Sequence, residues 1–480
     1  MRIIVPKDWR SDPRFLKKLT GNSEKLKPFA EAIHSKWKGL TRRFDQRKLC
    51  GECQASSLKL PYPFIVPGGR FREFYYWDSY WILEGLYVSE MCSTAEGMIE
   101  NMLVMIDEFG FIPNGARIYY MNRSQPPLFN LMIKRFIEEC IKTDEEKKGF
   151  LKRALPLLEK EYSFWMKERS AELLIPGHGN VTLNVYRTEH WIPRPESFLE
   201  DKATAALPKF DTELKKQLLY QNIASAAESG WDFSGRWIKG NGSQNGLEEI
   251  QTVMLVPTDL NVFMLKNEYL LCEYYKVIGD SLEKENYYRK QAEMREKAIE
   301  IVLKNGTKWI DFDLGTMKTA NRTFYISDIS AVWFMKFDSK TVSEIINQNH
   351  EILFKYPGGI PASQEFTGQQ WDFPNVWAPI QQLFIDSLLK DDNEAFGECY
   401  NHALNISQRF INSVYCGYEM FGKIQNFNYN HLFSHVCRSN FRKVSFRQRR
   451  ISWGRGRVHC SRRIRMDKWC CALDLEQVWQ

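Results

Sequence analysis

The spacing of apolar residues along this chain is that of amphipathic helices. Between Asp259 and Gly279 apolar side chains recur every three or four positions, after an aspartate that can cap a helix and before a glycine that can end it. The same spacing follows Leu155, Val342 and Ile380. Alternating strand patterns are scarce, so the sequence predicts an all-α fold.

The segments between the predicted helices are rich in glycine, proline, tryptophan and aspartate. They include PGGRFREFYYWDSYW, IPNGARIYYMNRSQPP, WIPRPES, AESGWDFSGRW and PGGIPASQEFTGQQWDFPNVWAP. We interpret the helices as a scaffold and these loops as a binding or catalytic site. Since no proline- or serine-rich linker interrupts them, we predict one domain over residues 1–424. Residues 425–480 are predicted to form a separate basic tail that is disordered or poorly packed.

The positive net charge of the chain comes from one segment. The chain has 480 residues, 44% hydrophobic and 14% aromatic, as in folded globular proteins, and has no apolar run of bilayer-spanning length. Residues 425–466 hold ten arginines and one lysine with no acidic residue, and without them the formal charge of +7 becomes −4. The predicted domain is therefore mildly acidic, and we expect no membrane partner.

Cysteines and glycosylation sequons leave the cellular compartment open. Eleven cysteines include one CxxC pair, Cys50 and Cys53, which without a second pair or histidines is weak evidence for zinc. We therefore expect no metal. The first residues lack the apolar core of a secretory signal peptide. The Asn-x-Ser/Thr sequons favour a secreted parent weakly; they begin at Asn122, Asn180, Asn241, Asn305, Asn321 and Asn405.

Three Trp-Asp pairs in the loops combine an apolar ring with a carboxylate. They are Trp77-Asp78, Trp231-Asp232 and Trp371-Asp372. Sugars need both groups, because their C–H faces pack on aromatic rings and their hydroxyls need directional hydrogen bonds. For any one pair, a buried tryptophan beside a helix-capping aspartate is an equally good interpretation. Fixed donors and acceptors accompany the pairs and favour a polyhydroxylated ligand: Arg70, Arg123, Arg194, Asn114, Gln125 and Glu196.

Two of these loops carry a resemblance to a known family. PGGRFREFYYWDSYW and QQWDFPNVWAP closely resemble the two signature motifs of trehalases, the glycoside hydrolases that split α,α-trehalose into two glucoses. RSQPP, RPES and ESGWDFSGRW follow in family order, and the resemblance runs from about Val5 to about Lys423. It implies an (α/α)6 barrel, an inverting acid/base mechanism, trehalose as the small-molecule partner, and no cofactor.

The resemblance also implies roles for individual residues. Asp232 matches the general acid that protonates the glycosidic oxygen. The substrate-binding positions of the family match Arg70, Trp77, Asp78, Asn114, Arg123, Ser124, Gln125, Arg194, Pro195, Glu196 and Gly230.

The basic tail lacks the other half of the trehalase acid/base pair. In the family the base is the glutamate of a Phe-Glu-Lys-Tyr motif beyond the second signature, followed by a Gly-Phe-Gly-Trp-Thr-Asn-Gly segment. Neither is present here. Read one base forward, however, the codons of Met466 and Asp467 must give tryptophan, and those of Trp469 and Cys470 must give glycine. Residues 441–445 can encode Phe-Glu-Lys-Tyr in the same frame.

We therefore predict that residues 425 to about 440 are retained intron or wrongly joined sequence, after which the true reading frame is lost, so that the basicity of the tail is an artefact of the frame. As written, the chain lacks the base, so we expect little or no turnover. A non-catalytic sugar-binding protein is the alternative. A nucleic-acid-binding arm with Phe441, Phe446 and Trp453 interleaved is a weaker one, and we expect no nucleic-acid partner.

Overall fold

The structure is a computed structural model, which describes residues 1–45, 50, 52–240, 246–389 and 397–422. Helices dominate these residues, which confirms the predicted all-α class. In chain order they are α1 Arg14–Lys18, α2 Lys27–Leu40, α3 Asp78–Val88, α4 Cys92–Phe109, α5 Phe129–Cys140, α6 Asp144–Glu168, α7 Phe198–Ala205, α8 Glu213–Glu228, α9 Thr258–Ile278, α10 Leu282–Val302, α11 Ala331–Phe334, α12 Ser339–Gln348, α13 His350–Leu353, α14 Ala378–Leu388 and α15 Glu398–Gly417.

Local sequence signals explain where the longest helices begin and end. Before α6, the Thr143 side chain accepts from the Glu146 backbone N–H while the Glu146 side chain accepts from the Thr143 N–H, a reciprocal capping box. After α9, Gly279 adopts a left-handed φ of 74° and its N–H donates to the Tyr275 carbonyl, which closes the helix as predicted.

The helices form an inner and an outer layer. Contacts run from α3 to α5, from α5 to α9, from α9 to α11 and from α11 to α14, so these five helices succeed one another in the inner layer. Partners on the outside pack against them: α4 on α3 and α5, α6 and α10 on α9, and α15 on α14. The inner position of α9 agrees with its burial, since fourteen of its twenty-one residues are buried. Loops at the helix ends are thereby brought together.

The strands are short and connect or flank the helices. Two three-stranded sheets have the orders β1-β2-β3 and β10-β9-β6, and β4-β5 and β7-β8 are hairpins. The strands are β1 Arg2–Ile3, β2 Thr41–Arg43, β3 Phe64–Ile65, β4 Ser170–Ile175, β5 Gly179–Asn184, β6 Leu255–Val256, β7 Lys304–Asn305, β8 Lys308–Trp309, β9 Phe312–Asp313 and β10 Lys318–Thr319. All pairings are antiparallel, and β4 pairs with β5 from Ser170 opposite Asn184 to Ile175 opposite Gly179.

Two details of the helix predictions were wrong. Asp259 does not cap α9; it lies inside the first turn, and its carboxylate accepts from the buried guanidinium of Arg236. The helix predicted to start at Val342 is divided at Asn349, whose side-chain amide donates to the Ile345 carbonyl and whose backbone joins α12 to α13. For Asp259, an ion pair with a residue distant in sequence replaces the predicted capping hydrogen bond. For Asn349, a side-chain hydrogen bond to the backbone accompanies the break in the predicted helix.

Cysteine pairing differs from a metal-ligand arrangement. Cys50 and Cys53 form a disulfide, and Cys92 is paired with Cys140. Over the described ranges no group of histidine, cysteine or acidic side chains is arranged to hold a metal ion. Nor does any helix in that part of the chain have the length and apolarity needed to cross a membrane. The division at residue 424 stays a prediction, because the basic tail lies outside the described residues.

Candidate active site

The loops singled out in the sequence meet at one end of the helical layers. Trp77 and Asp78 stand at the start of α3, residues 112–125 follow α4, residues 194–196 precede α7, residues 230–237 follow α8, and residues 359–377 precede α14. Hydrogen bonds join loops far apart in sequence: the Gln370 side-chain amide donates to the Asp232 carbonyl, and the Arg70 guanidinium donates to Gln370 at 3.4 Å. The loops therefore form a single cleft.

Asp232 lies in this cleft, its side chain surrounded by protein atoms but still reached by solvent. Burial raises the pKa of its carboxyl to about 6. The positive charges of Arg194 and Arg123 lower this pKa, and the negative charge of Glu196 raises it, but burial is the largest effect. A carboxyl with a pKa near 6 is half protonated at pH 6 and still about one tenth protonated at pH 7, far more than an ordinary aspartate. It can therefore donate a proton to a leaving oxygen, as a general acid must.

Asp78 is a second carboxyl with a raised pKa in the same cleft. Its own backbone N–H favours the charged form, but burial dominates and the Asp232 charge adds to it, so that its pKa rises to about 7. The two carboxyls thus interact electrostatically, and each disfavours ionisation of the other. Asp78 also occupies the first turn of α3, where the helix dipole favours a negative charge.

Arg123 is held rigidly with one donor left for a ligand. Its Nε donates to Asn114 Oδ1 at 2.7 Å, and one terminal nitrogen pairs with the Glu196 carboxylate. The residue is 2% exposed, and its other terminal nitrogen, Nη1, is buried without a partner. Although burial opposes it, Arg123 and Arg194 lower the pKa of Glu196, which is therefore ionised. A buried, unpaired guanidinium donor calls for an acceptor such as a sugar hydroxyl.

Arg194 is fixed by a carboxylate on the following helix. Its Nε and Nη2 donate to the two oxygens of Asp201 at 3.0 and 2.8 Å, and its backbone N–H donates to the same group at 2.9 Å. The guanidinium also lies over the Phe233 ring, 5.1 Å from its centroid. Pro195 begins a short 3-10 turn that leads to Glu196 and fixes the direction of this loop. Sequence reasoning did not identify Asp201.

Trp77, Gln125 and Gly230 form the wall beside Asp232. The Trp77 backbone N–H donates to Gln125 Oε1 at 3.1 Å, so the glutamine anchors the aromatic residue. Gly230 has a left-handed φ of 75°, and a Cβ there would lie 2.5 Å from Cζ2 of Trp77. Only glycine satisfies both the backbone conformation and the close contact.

The third Trp-Asp pair has a structural role. The Asp372 carboxylate accepts from the Gly235 N–H at 2.7 Å and from the hydroxyls of Ser234, Ser363 and Thr367. Trp371 is 4% exposed and stacks on Trp231 and Trp377 at 5.1 and 4.4 Å. Because every Asp372 lone pair faces a protein donor, this carboxylate is used to order the loop and has no acceptor site left for a ligand. The pair therefore fits the structural interpretation, a buried tryptophan beside an aspartate that orders the backbone.

Two implied binding residues lie at opposite extremes of exposure. Arg70 is exposed at the mouth of the cleft, where it also lies over the Phe71 ring. Ser124 is fully buried: its hydroxyl donates to the Ile112 carbonyl at 2.7 Å, and its backbone N–H donates to Glu228 at 2.8 Å. The serine side chain therefore orders the loop that carries Arg123.

A buried charge network that sequence reasoning missed supports the Asp232 loop. Arg236 is fully buried and donates to both oxygens of Asp259 and both oxygens of Asp311 at 2.7–2.9 Å. Arg322 donates to Asp311 and Asp328 at 2.9 Å each. Although burial opposes it, the two arginines hold the pKa of Asp311 below its ordinary value. The network ties the loop after α8 to the start of α9.

A two-layered helical scaffold whose loops gather carboxyls, arginines and tryptophans in one cleft is the design of helical-barrel glycoside hydrolases. The chain belongs to the trehalase family, because the family profile named Trehalase matches residues 1–431. It is similar to the trehalase of Dictyostelium discoideum, 41% identical over 86% of this chain and 69% of the relative. It is also similar to that of Homo sapiens, 40% identical over 80% of this chain and 65% of the relative.

The fold comparison agrees with the family. The neutral trehalase Nth1 of Saccharomyces cerevisiae aligns with a TM-score of 0.63 and 23% identity over 76% of this chain and 68% of that chain. A mannosylglycerate hydrolase from Thermus thermophilus aligns with a TM-score of 0.50 at 12% identity. The predicted (α/α)6 barrel is thereby confirmed at the level of the fold. The chain spans about two thirds of the length of the curated relatives named above.

Proposed function

We propose that this chain binds α,α-trehalose in the cleft and places Asp232 as the general acid for inverting hydrolysis. The observation that carries the proposal is the pKa of Asp232, raised to about 6 in a cleft lined by fixed arginines. The family membership favours trehalose, and the unpaired donor of Arg123 supplies a site for a sugar hydroxyl.

The proposed roles follow from the contacts. Asp232 protonates the glycosidic oxygen; Arg123 and Arg194 hold hydroxyls and limit how far the pKa of Asp232 rises. Trp77 and Gln125 form a wall against one sugar ring, and Glu196, Asn114 and Asp201 hold the arginines. Gly230 lets the acid loop approach Trp77. Asp78 is proposed to accept from a sugar hydroxyl, and Arg70 to donate at the rim of the cleft. Ser124 and Pro195 are proposed to order the loops that carry the arginines.

An inverting reaction also needs a carboxylate that activates water on the opposite face of the sugar. The family base has no counterpart in the sequence as written, so we propose that this chain binds trehalose but hydrolyses it slowly or not at all. The loss of such a base removes a factor of roughly 10²–10⁴ or more in rate.

Calorimetric titration of the purified chain with trehalose, paired with an assay of glucose release, tests both parts. We expect saturable binding, its loss in Arg123→Met, and its retention in the matched control Arg153→Met, whose guanidinium forms an exposed ion pair with Glu100. Absence of binding by a chain with a helical circular dichroism spectrum would refute the binding proposal. Turnover at the rate of an ordinary trehalase would instead show that another carboxylate serves as the base.

A further inference from the structure

We propose that Asn180 is an N-glycosylation site, in a chain that folds in an oxidising compartment of the secretory pathway. Two independent features carry this inference: a disulfide between the outer ends of two helices, and an exposed apolar side chain beside an exposed sequon. Neither feature belongs to the cleft, so the inference stands apart from the proposed function.

The disulfide joins Cys92 at the start of α4 to Cys140 at the end of α5. The two Cα atoms are 5.6 Å apart and the residues are separated by 48 positions. Disulfides of this kind persist in secreted proteins and are rare in the reducing cytosol. To form it, the two thiols release two protons and two electrons, which reduce the disulfide of an oxidoreductase to a dithiol.

The sequon at Asn180 is displayed on a hairpin. Asn180 and Thr182 lie two residues apart in β5, so their side chains point to the same face of the strand. Both are exposed, and neither side chain has a hydrogen-bond partner in the described part of the chain. The amide and the hydroxyl that a glycosyl transferase must engage together are therefore accessible.

Leu174 is the apolar side chain beside this sequon. It lies directly opposite Asn180 in the β4-β5 ladder and is 70% exposed. Directly opposed residues of an antiparallel pair have neighbouring side chains on one face. The first sugars of a glycan on Asn180 would cover Leu174, which accounts for an exposed leucine on a face where the next pair of the ladder, Glu172 and Thr182, is polar.

The sequon at Asn122 provides a contrast within the same chain. Its amide nitrogen contacts the ring of His190, its amide oxygen is buried without a partner, and its backbone carbonyl accepts from Arg169. A glycan there would have to occupy the space beside Arg123, inside the wall of the cleft. We therefore expect Asn122 to be unmodified in the folded chain.

The proposed modification is a balanced group transfer. The Asn180 Nδ2 loses one proton and forms a bond to C1 of the first sugar of a lipid-linked oligosaccharide pyrophosphate. The bond between C1 and the pyrophosphate oxygen breaks, and the lipid pyrophosphate takes the proton and leaves. The sequon hydroxyl of Thr182 is needed for recognition of the acceptor.

The test maps glycans and disulfides in the full 480-residue chain, expressed in cultured eukaryotic cells behind a cleavable secretion signal and, separately, isolated from the cells that normally make it. Enzymatic removal of glycans in heavy-oxygen water marks each formerly occupied asparagine by mass. We expect the mark at Asn180 and its absence at Asn122, with Cys92 and Cys140 linked in the non-reduced digest. Since transfer precedes export, a chain retained inside the cell is still informative.

Variants separate recognition from folding. Thr182→Ala should lose one glycan while keeping Asn180, and Thr182→Ser should retain it. Asn180→Gln should increase binding of a hydrophobic dye, and adding Leu174→Thr should remove that increase. An unmarked Asn180 in both sources, or free thiols at Cys92 and Cys140 in the natural protein, would overturn the proposal. Equal marking of Asn122 and Asn180 in natively folded protein would overturn the distinction between them.

Discussion

Gly230 packs directly against the indole of Trp77, and the contact leaves no room for a side chain. A Cβ at position 230 would lie 2.5 Å from Cζ2 of Trp77, and the glycine has a φ of 75°. Because residue 230 lies two positions before Asp232, this contact fixes how close the proposed acid comes to the aromatic wall. A residue that looks like a loop spacer in the sequence thus sets the geometry of the cleft.

Gly230→Ala is expected to cost about 2–4 kcal/mol in the free energy of unfolding, because it combines a left-handed alanine with an overpacked contact. Gly279→Ala is the matched control: its φ of 74° is nearly the same, but no atom lies within 4 Å of its Cβ. We expect about 1 kcal/mol there. Denaturant unfolding gives both values, and trehalose titration should show weakened binding for position 230 alone. Equal losses at the two positions would argue against the Trp77 contact.

Periodicity and turn chemistry predicted the helical class and the end of α9 at Gly279. Those are local signals, written within a few residues of where they act. Asp259, Asp311 and Asp201 could not be assigned in the same way, since their partners Arg236 and Arg194 are set by tertiary packing. The structural role of Asp372 could not be predicted either, because its hydrogen-bond donors Gly235 and Ser234 are 137 and 138 residues away in the sequence.

Asp311→Asn should destabilise the fold by about 3–5 kcal/mol at pH 7, because it leaves the buried cations of Arg236 and Arg322 short of a compensating charge. The folded-state pKa of Asp311 is lowered, so the wild-type carboxylate contributes stability above its unfolded pKa of about 4 and loses it as the pH falls further. Unfolding free energies of wild type and variant should therefore converge below pH 4.

The matched control for this prediction is Asp211→Asn, which removes a carboxylate from an exposed pair with Lys215. Its effect on stability at pH 7 should be close to zero, as for most surface ion pairs. Urea denaturation at a series of pH values measures both variants. A difference between wild type and Asp311→Asn that stays constant from pH 7 to pH 3 would contradict the proposed ionisation of Asp311.

Asp232→Asn should stabilise the protein at pH 7, while the low rate of trehalose hydrolysis in this base-less chain should change little. Burial raises the pKa of Asp232 to about 6, so the native state binds more protons than the unfolded state between about pH 4 and pH 6. The contribution of the Asp232 carboxyl to the free energy of unfolding therefore falls as the pH rises through that window. The asparagine variant does not ionise, so its stability does not fall in this way. We expect a gain of about 1–3 kcal/mol, reduced from the full shift because solvent reaches the carboxyl.

Asp372→Asn should have the opposite effect, although burial raises the pKa of that carboxyl too. Its oxygens accept from four donors, and an amide nitrogen in place of one oxygen would face donors without an acceptor. Thermal unfolding at pH 7 compares the two variants directly. Destabilisation by Asp232→Asn would show that its carboxylate is held by contacts stronger than the cost of its burial.

The codons for residues 420–470 should encode the family's base motif in the next reading frame. Met466 and Asp467 already force tryptophan there, and Trp469 and Cys470 force glycine, as in the Trp-Thr-Asn-Gly segment of the family. Genomic sequence and transcript reads across this region are the measurement. If residues 441–445 do not read Phe-Glu-Lys-Tyr when shifted by one base, the frame prediction is wrong and the basic tail needs another explanation.

A chain rebuilt in that frame should hydrolyse trehalose at least about 10²–10⁴ times faster than the 480-residue chain, because it regains the carboxylate that activates water. Replacing the restored glutamate by glutamine should return the rate to that of the present chain while preserving trehalose binding through Arg123 and Arg194. Adding Asp232→Asn to the glutamine variant should then change the rate little, since acid and base act as a unit. Undiminished turnover in the glutamine variant would place the base elsewhere, and Asp78, with its pKa of about 7 beside Asp232, would be the next carboxyl to replace.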